Sequence, residues 1–219
     1  MPKHRLLPLL ARLSSFSLVA ALAACATGRT VIDLPVPPPS QTSVETVQAV
    51  RIRTVSDDRV FQDAPRVPSV PSLEEPLAKS TADTRAHAVA RKRNGFGMAQ
   101  GDVILSGRAD VRDVMRANAA VALSSAGYRI DEGDVSALDV DVHVREFWLW
   151  LQPGVMVATI RSRIVADVSI GQMAPVTVAA ETDQPGQIFS QEASTKAVQV
   201  AVEAWRKQAS ATLAAVGRK

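Results

Sequence analysis

The chain has 219 residues, of which 47% are hydrophobic, 4% aromatic and 21% charged, enough for one sizeable core and short for two. Lys3, Arg5 and Arg12 are three of its 25 cations and lie in the first 24 residues, leaving 22 cations against 22 acids in the remainder. A neutral body excludes nucleic-acid binding driven by net charge, and a lone cysteine excludes an internal disulfide framework and a multi-cysteine metal centre.

Residues 1–24 have the build of an export signal. Lys3, His4, Arg5 and Arg12 form a basic start, and residues 13–24 are uncharged and mostly apolar. That apolar run is well short of the about 20 residues a spanning helix needs. It closes on Leu22-Ala23-Ala24-Cys25, which resembles the lipobox of bacterial lipoproteins: a branched residue, two small residues and the cysteine that is lipidated. The resemblance implies cleavage before Cys25, a thioether to diacylglycerol and fatty acylation, palmitate included. Each buried methylene contributes about 0.8 kcal/mol, so two or three chains make a durable anchor. Ala26 in place of Asp implies, by the same resemblance, the periplasmic face of a Gram-negative outer membrane.

Residues 25–46 hold Pro35, Pro37, Pro38 and Pro39 and few bulky apolar side chains. Fixed φ and missing N–H groups predict an extended spacer that holds the following domain tens of ångströms from the lipid. One domain is expected over residues 47–219. A strand begins near Val47, with Val50 and Ile52 alternating with Arg51 and Arg53. Residues 63–80, with Pro65, Pro68, Pro71 and Pro76, predict an irregular excursion. Ala86, Ala88 and Ala90 alternate with polar neighbours ahead of Arg91-Lys92-Arg93-Asn94-Gly95-Phe96-Gly97, and Val103-Ile104-Leu105 reads as a strand.

Asp110 is a fitting N-cap for a helix carrying Val111, Val114, Met115, Ala119, Ala122 and Ala126, with Gly127 at its C-terminal side. A strand follows over residues 138–151, with Leu138, Val140, Val142 and Val144 facing one way and Asp139, Asp141, His143 and Arg145 the other. A second, over residues 155–170, turns Ile160, Ile164, Val168 and Ile170 inward. Both apolar sets are even-numbered, so paired positions should sum to an even number and the loop between them should hold three or five residues. The outward acids of the first strand should then lie near the outward arginines of the second. A third strand runs over residues 176–182, and a helix over residues 194–216 is expected to bury Val198, Ala201, Val202, Trp205, Ala209, Leu213 and Val216. The elements predict an α+β two-layer sandwich: a largely antiparallel sheet with two amphipathic helices packed on one face.

The order of elements resembles the YajG-type lipoproteins of Gram-negative bacteria. The resemblance rests on Val50-Arg51-Ile52, Asp57-x-Arg59, the loop at residues 91–97, Ala126-Gly127-Tyr128, Leu138-x-Val140-x-Val142 and the terminal helix. It implies an outer-membrane lipoprotein with a small periplasmic domain, and it supplies no catalytic residues and no cofactor.

Two segments are candidate binding sites. In the first, Arg91, Arg93, Asn94 and Phe96 belong to a basic, glycine-containing loop whose backbone N–H groups and guanidinium groups could clamp an anion such as a phosphorylated headgroup or an acidic glycan; a basic turn is the plainer reading. In the second, Phe147, Trp148, Leu149 and Trp150 make both faces of a strand apolar near its tip. Either residues 63–80 or the terminal helix covers them, or they form a contact patch for a partner, a second copy or the bilayer interface. No metal-ligand spacing, phosphate loop or nucleophile turn is visible. His143, beside Asp139 and Asp141, is the only sketch of a general base. The expectation is therefore a lipid-anchored, non-catalytic binding or envelope-assembly factor, with an envelope protein or an anionic lipid or glycan as partner. The alternatives are an accessory subunit of an envelope lipid-transport complex, or an enzyme acting on envelope glycan or lipid.

Overall fold

The computed structural model describes residues 28–35, 37, 48–94, 96, 98–107, 109–154, 158–186 and 189–217. In chain order the elements are β1 (Thr30–Ile32), β2 (Ala49–Asp57), α1 (Ala82–His87), β3 (Ala88–Arg93), β4 (Ala99–Leu105), α2 (Val111–Ser125), β5 (Arg129–Ile130), β6 (Leu138–Gln152), β7 (Thr159–Ile170), β8 (Val176–Pro185) and α3 (Gln191–Val216). The strands join in one sheet, and α2 and α3 close the main core against one face of it, the α+β sandwich expected. The sheet is mixed. β3–β4, β6–β7 and β7–β8 are antiparallel, whereas β1–β4, β2–β5, β2–β6 and β3–β6 are parallel. β2 and β6 can run parallel because α1, the β3–β4 hairpin and α2 lie between them in sequence, long enough to cross back over the sheet. Among the described residues no helix is long and apolar enough to cross a membrane.

The helices start and stop where their chemistry dictates. The Asp110 carboxylate accepts the N–H groups of Arg112 and Asp113, and the Asp113 carboxylate accepts that of Asp110, a reciprocal cap on α2. Gly127, at φ +98, turns the chain out of the helix. Ser190 caps α3 by accepting the Ala193 N–H, and the indole of buried Trp205 donates to the Val178 carbonyl.

β6 organises the rest. One edge pairs with β7 along its length; the other pairs with β2 over residues 138–144 and with β3 at Leu149. Arg59 fills the break where β2 has left and β3 has not yet joined. Its fully buried guanidinium donates to the carbonyls of Ala88 (2.6 Å), Phe147 (3.1 Å) and Arg85 (2.8 Å). It also forks onto both oxygens of Asp57 at 2.7 Å and stacks over the Phe61 ring at 5.2 Å.

A bulge sits at the same height. The β6–β7 register slips between Val144↔Ala166 and Glu146↔Val165, leaving Arg145 as the extra residue. Below it the even positions Val140, Val142 and Val144 face the helices; above it the odd positions Phe147 and Leu149 do, while Trp148 and Trp150 face the opposite side. Two expectations are corrected by this slip. The inward set does not stay even: Trp148 and Trp150, which would continue the even-numbered inward face, lie on the outer side, and Phe147 and Leu149 take their place in the core. Pairs above the bulge sum to an odd number, and the connection from Gln152 to Thr159 holds six residues rather than three or five.

The excursion at residues 63–80 is irregular, as expected, and packed. Together with Phe61 it lays Leu73 and Leu77 over Trp148 and Trp150, adding a local third layer. Phe61 meets Trp148 edge-on at 5.8 Å, and the Trp148 indole donates to the Pro68 carbonyl. The rest of that outer face is a lattice of ion pairs: Arg51–Asp139 (2.5 Å), Arg53–Asp141 (2.6 Å), Arg145–Asp167 (2.9 Å), Arg163–Glu146 (3.4 Å) and Arg161–Asp183 (2.9 Å). The β6 acids at 139 and 141 were expected to face the β7 arginines. They bond to β2 instead, because β2 lies alongside them, and the β7 arginines turn to Glu146 and to β8.

The spacer expected over residues 25–46 is corrected over residues 28–34, while residues 25–27, 36 and 38–46 lie outside the described residues. Thr30, Val31 and Ile32 already form a parallel edge strand on β4. Gly28 N–H donates to the Gln100 carbonyl at 2.7 Å, Ser106 N–H donates to the Ile32 carbonyl at 2.7 Å, and Leu34 packs against the helical core. A β-branched run hidden in proline-rich composition was sufficient to pair. The backbones approach so closely that a Cβ on Gly101 would lie 2.1 Å from the Gly28 carbonyl oxygen, at a φ of +127 that side chains avoid.

Two substitutions test these joints. Arg59→Met should lower stability in urea by about 3–5 kcal/mol, because Asp57 and the carbonyls lose a buried partner. The Arg59→Met/Asp57→Asn double variant should cost less than the sum of the singles. Gly101→Ala should cost roughly 1–3 kcal/mol and remove hydrogen-exchange protection from the Ser106 amide as β1 lifts.

Candidate functional site

The lipobox Leu22, Ala23, Ala24 and Cys25 lies outside the described residues. Four other places carry chemistry, and the aromatic run is the first. Phe147, Trp148, Leu149 and Trp150 are 0%, 1%, 1% and 7% exposed. They present no surface to a partner, because the main core takes two of them and the excursion covers the other two. The contact-patch expectation is therefore corrected: a two-faced apolar strand here means a strand covered on both sides.

The second is the β3–β4 hairpin. Arg93 reaches back under the excursion, donating to the Pro65 carbonyl at 2.8 Å, and burial lowers its pKa. Arg91 stands opposite Asp102 in the ladder, and its Nε and Nη1 are buried. Arg93 is committed to the excursion and Arg91 holds its Nε and Nη1 buried without a hydrogen-bond partner rather than aimed into solvent, so the exposed clamp expected of the pair is not assembled. Gly95 and Gly97 lie outside the described residues. Asn94 instead fastens the turn: its Oδ1 accepts the N–H groups of Phe96 (3.0 Å) and Met98 (2.9 Å), and its own N–H donates to the Met98 carbonyl. The Phe96 side chain is left in solvent, 91% exposed, and Met98 is 59% exposed.

Beneath the excursion lies the most perturbed acid. Asp102 is 3% exposed and accepts the Glu74 N–H at 2.9 Å. Burial pushes its carboxyl up to about 6, against the opposing pull of that hydrogen bond and of Arg29 and Arg91. Neighbouring Lys92, 7% exposed, has its pKa lowered by the same burial.

The third is His143. Ser56 Oγ lies 2.8 Å and Asp58 Oδ2 3.2 Å from the same ring nitrogen, Nδ1. A serine–histidine relay needs the hydroxyl on one nitrogen and the orienting carboxylate on the other, so this trio is not one. Asp139 and Asp141, expected beside His143 as orienting groups, are held by Arg51 and Arg53; the hydrogen bond from Arg53 is the main cause of Asp141's lowered pKa. Ser56 and Asp58 were not foreseen as neighbours, since only the parallel β2–β6 register brings them there.

The fourth is a cleft of about 690 Å³ between the end of β2, the excursion and α1, walled by Asp57, Arg59, Phe61, Asp83, Arg85 and Arg112. Two of its three arginines are already committed to carboxylates: Arg59 to Asp57, and Arg112 to Asp110. α1, capped by Thr81 accepting the Thr84 N–H, went unforeseen; Thr81-x-x-Thr84 was its signal. Among the described residues no group of three metal-ligating side chains converges.

No family model matches the chain, and no curated protein matches it. Two solved structures are similar in outline. One is the crystal structure of an uncharacterized protein, with a TM-score of 0.40 and 10% identity over 87% of this chain and 99% of that one. The other is protein XCC0632 from Xanthomonas campestris, of family DUF330, with a TM-score of 0.35 and 10% identity over 86% and 92% of the two chains.

Asp102 yields a pH test. A folded-state pKa above the ordinary value means the native state holds the proton longer, so stability falls as pH rises from about 4 to about 6. Asp102→Asn keeps an acceptor for the Glu74 N–H. It should flatten that slope and, above pH 6, exceed the parent by no more than about 3 kcal/mol, with little difference near pH 4. Urea unfolding across this range checks it.

Proposed function

We propose that the chain is a lipoprotein, cleaved before Cys25, acylated there, and held at the periplasmic face of a Gram-negative outer membrane, where it acts by binding rather than catalysis. The observation that carries this reading is Leu22-Ala23-Ala24-Cys25, which holds the sole cysteine of the chain at the position a lipobox requires. The resemblance to YajG-type lipoproteins supports the same address. The binding role draws support from the commitments of the polar groups: the guanidinium groups of Arg51, Arg53 and Arg59 are tied to carboxylates, and Ser56 and Asp58 meet His143 at one nitrogen. Such a lattice suits a scaffold that displays loops to other envelope components.

Labelling with an alkyne palmitate analogue should tag the parent protein and not Cys25→Ser. That variant should accumulate as the uncleaved precursor and lose stable association with outer-membrane vesicles. Cys25→Ser processed and retained like the parent would end the proposal.

A further inference from the structure

We propose that the tip of the β3–β4 hairpin, through Phe96 and Met98, inserts into the interface of the bilayer that holds Cys25, so that the domain lies against the membrane in a fixed orientation. This rests on the lipid-anchored reading and adds which part of the fold meets the lipid.

The first support is the length of the tether. Two residues, Ala26 and Thr27, lie between Cys25 and Gly28, three Cα-to-Cα steps in all, and Gly28 is hydrogen-bonded to Gln100. At no more than about 3.6 Å per residue the connection spans roughly 11 Å, comparable to the headgroup layer itself. Met98 is two residues from Gln100, so the hairpin tip and the point where the lipid-bearing segment leaves the sheet share one end of the fold. The second support is the tip itself. Phe96 at 91% and Met98 at 59% exposure are large apolar side chains turned to solvent on a turn pinned by Asn94. A pinned turn brings its side chains to an interface with little ordering left to lose. The third is charge: Arg29, exposed beside Gly28, stands where anionic headgroups would lie. The proline-rich composition had suggested a domain held off the membrane; a strand starting at Thr30 brings it down onto the surface instead.

The test uses the full lipidated protein, purified from membranes and reconstituted in vesicles of phosphatidylethanolamine and phosphatidylglycerol. Cys25 is consumed by its thioether, so Phe96→Cys offers a unique thiol for an environment-sensitive fluorophore; Val135→Cys, 89% exposed and ahead of the start of β6, is the far-end control. Insertion predicts a blue-shifted probe at 96 with several-fold quenching by brominated lipids, and a water-like, unquenched probe at 135. Introducing Met98→Asp beside the labelled position should shift the 96 probe toward the aqueous spectrum while acylation and circular dichroism stay unchanged. A water-like probe at 96 in protein whose acylation is verified by mass spectrometry overturns the orientation and leaves the anchor standing. Absence of the acyl group overturns the anchored reading itself. A probe shielded in intact cells but quenched by neither lipid nor vesicle would assign the tip to a protein partner and refute the membrane.

Discussion

The fold depends on one buried guanidinium. β6 borrows two neighbours in succession along the same edge, and any sheet that changes partners in mid-strand leaves backbone carbonyls facing a gap. Arg59 fills it, answering Ala88, Phe147 and Arg85 from one planar fork while Asp57 balances the charge. Lysine would bring the charge without the geometry, and an apolar side chain would bring the volume without donors. The side chain thus ties β2, α1, β3 and β6 at a single point, and its stack on Phe61, itself against Trp148, carries the tie into the covering excursion.

The bulge at Arg145 is the complement of that plug. It exchanges the faces of β6 where the partner changes, so that Phe147 and Leu149 continue the helical core while Trp148 and Trp150 recruit residues 63–80 as a lid. A proline-rich segment without regular structure becomes well packed because the flip hands it two indoles to cover. It also buries Asp102 and Lys92 at its margin, which is why the strongest electrostatic perturbation lies under a loop.

Much of this architecture was legible from residues alone. The period-2 pattern at residues 138–144, the Asp110 cap with Gly127, and the stripe from Val198 to Val216, buried as far as Leu213, announce a strand, a helix boundary and a buried helix face through local rules that the tertiary structure does not override. The failures share a cause: each needed to know a neighbour. The parity argument for the β6–β7 loop was sound up to Arg145, where a bulge without glycine leaves no mark in composition. The run Phe147-Trp148-Leu149-Trp150 announced two apolar faces and residues 63–80 as one possible cover, but it left open whether the second face was covered or offered to a partner. β1 is three residues in proline-rich surroundings, Arg59 looked like one residue of a sparse motif, and the turning of Arg91 and Arg93 away from solvent depends on an excursion that local periodicity does not place.

The attachment of β1 has a mechanical side. The strand runs parallel to β4, held by Gly28 at one end and by Ile32 at the other. A pull applied ahead of Gly28 acts along the strand axis, so the bonds to β4 are loaded together in shear rather than peeled apart one after another. With the tether proposed at Cys25, the same five residues that shorten the leash would make it the element best placed to bear tension when the envelope is strained.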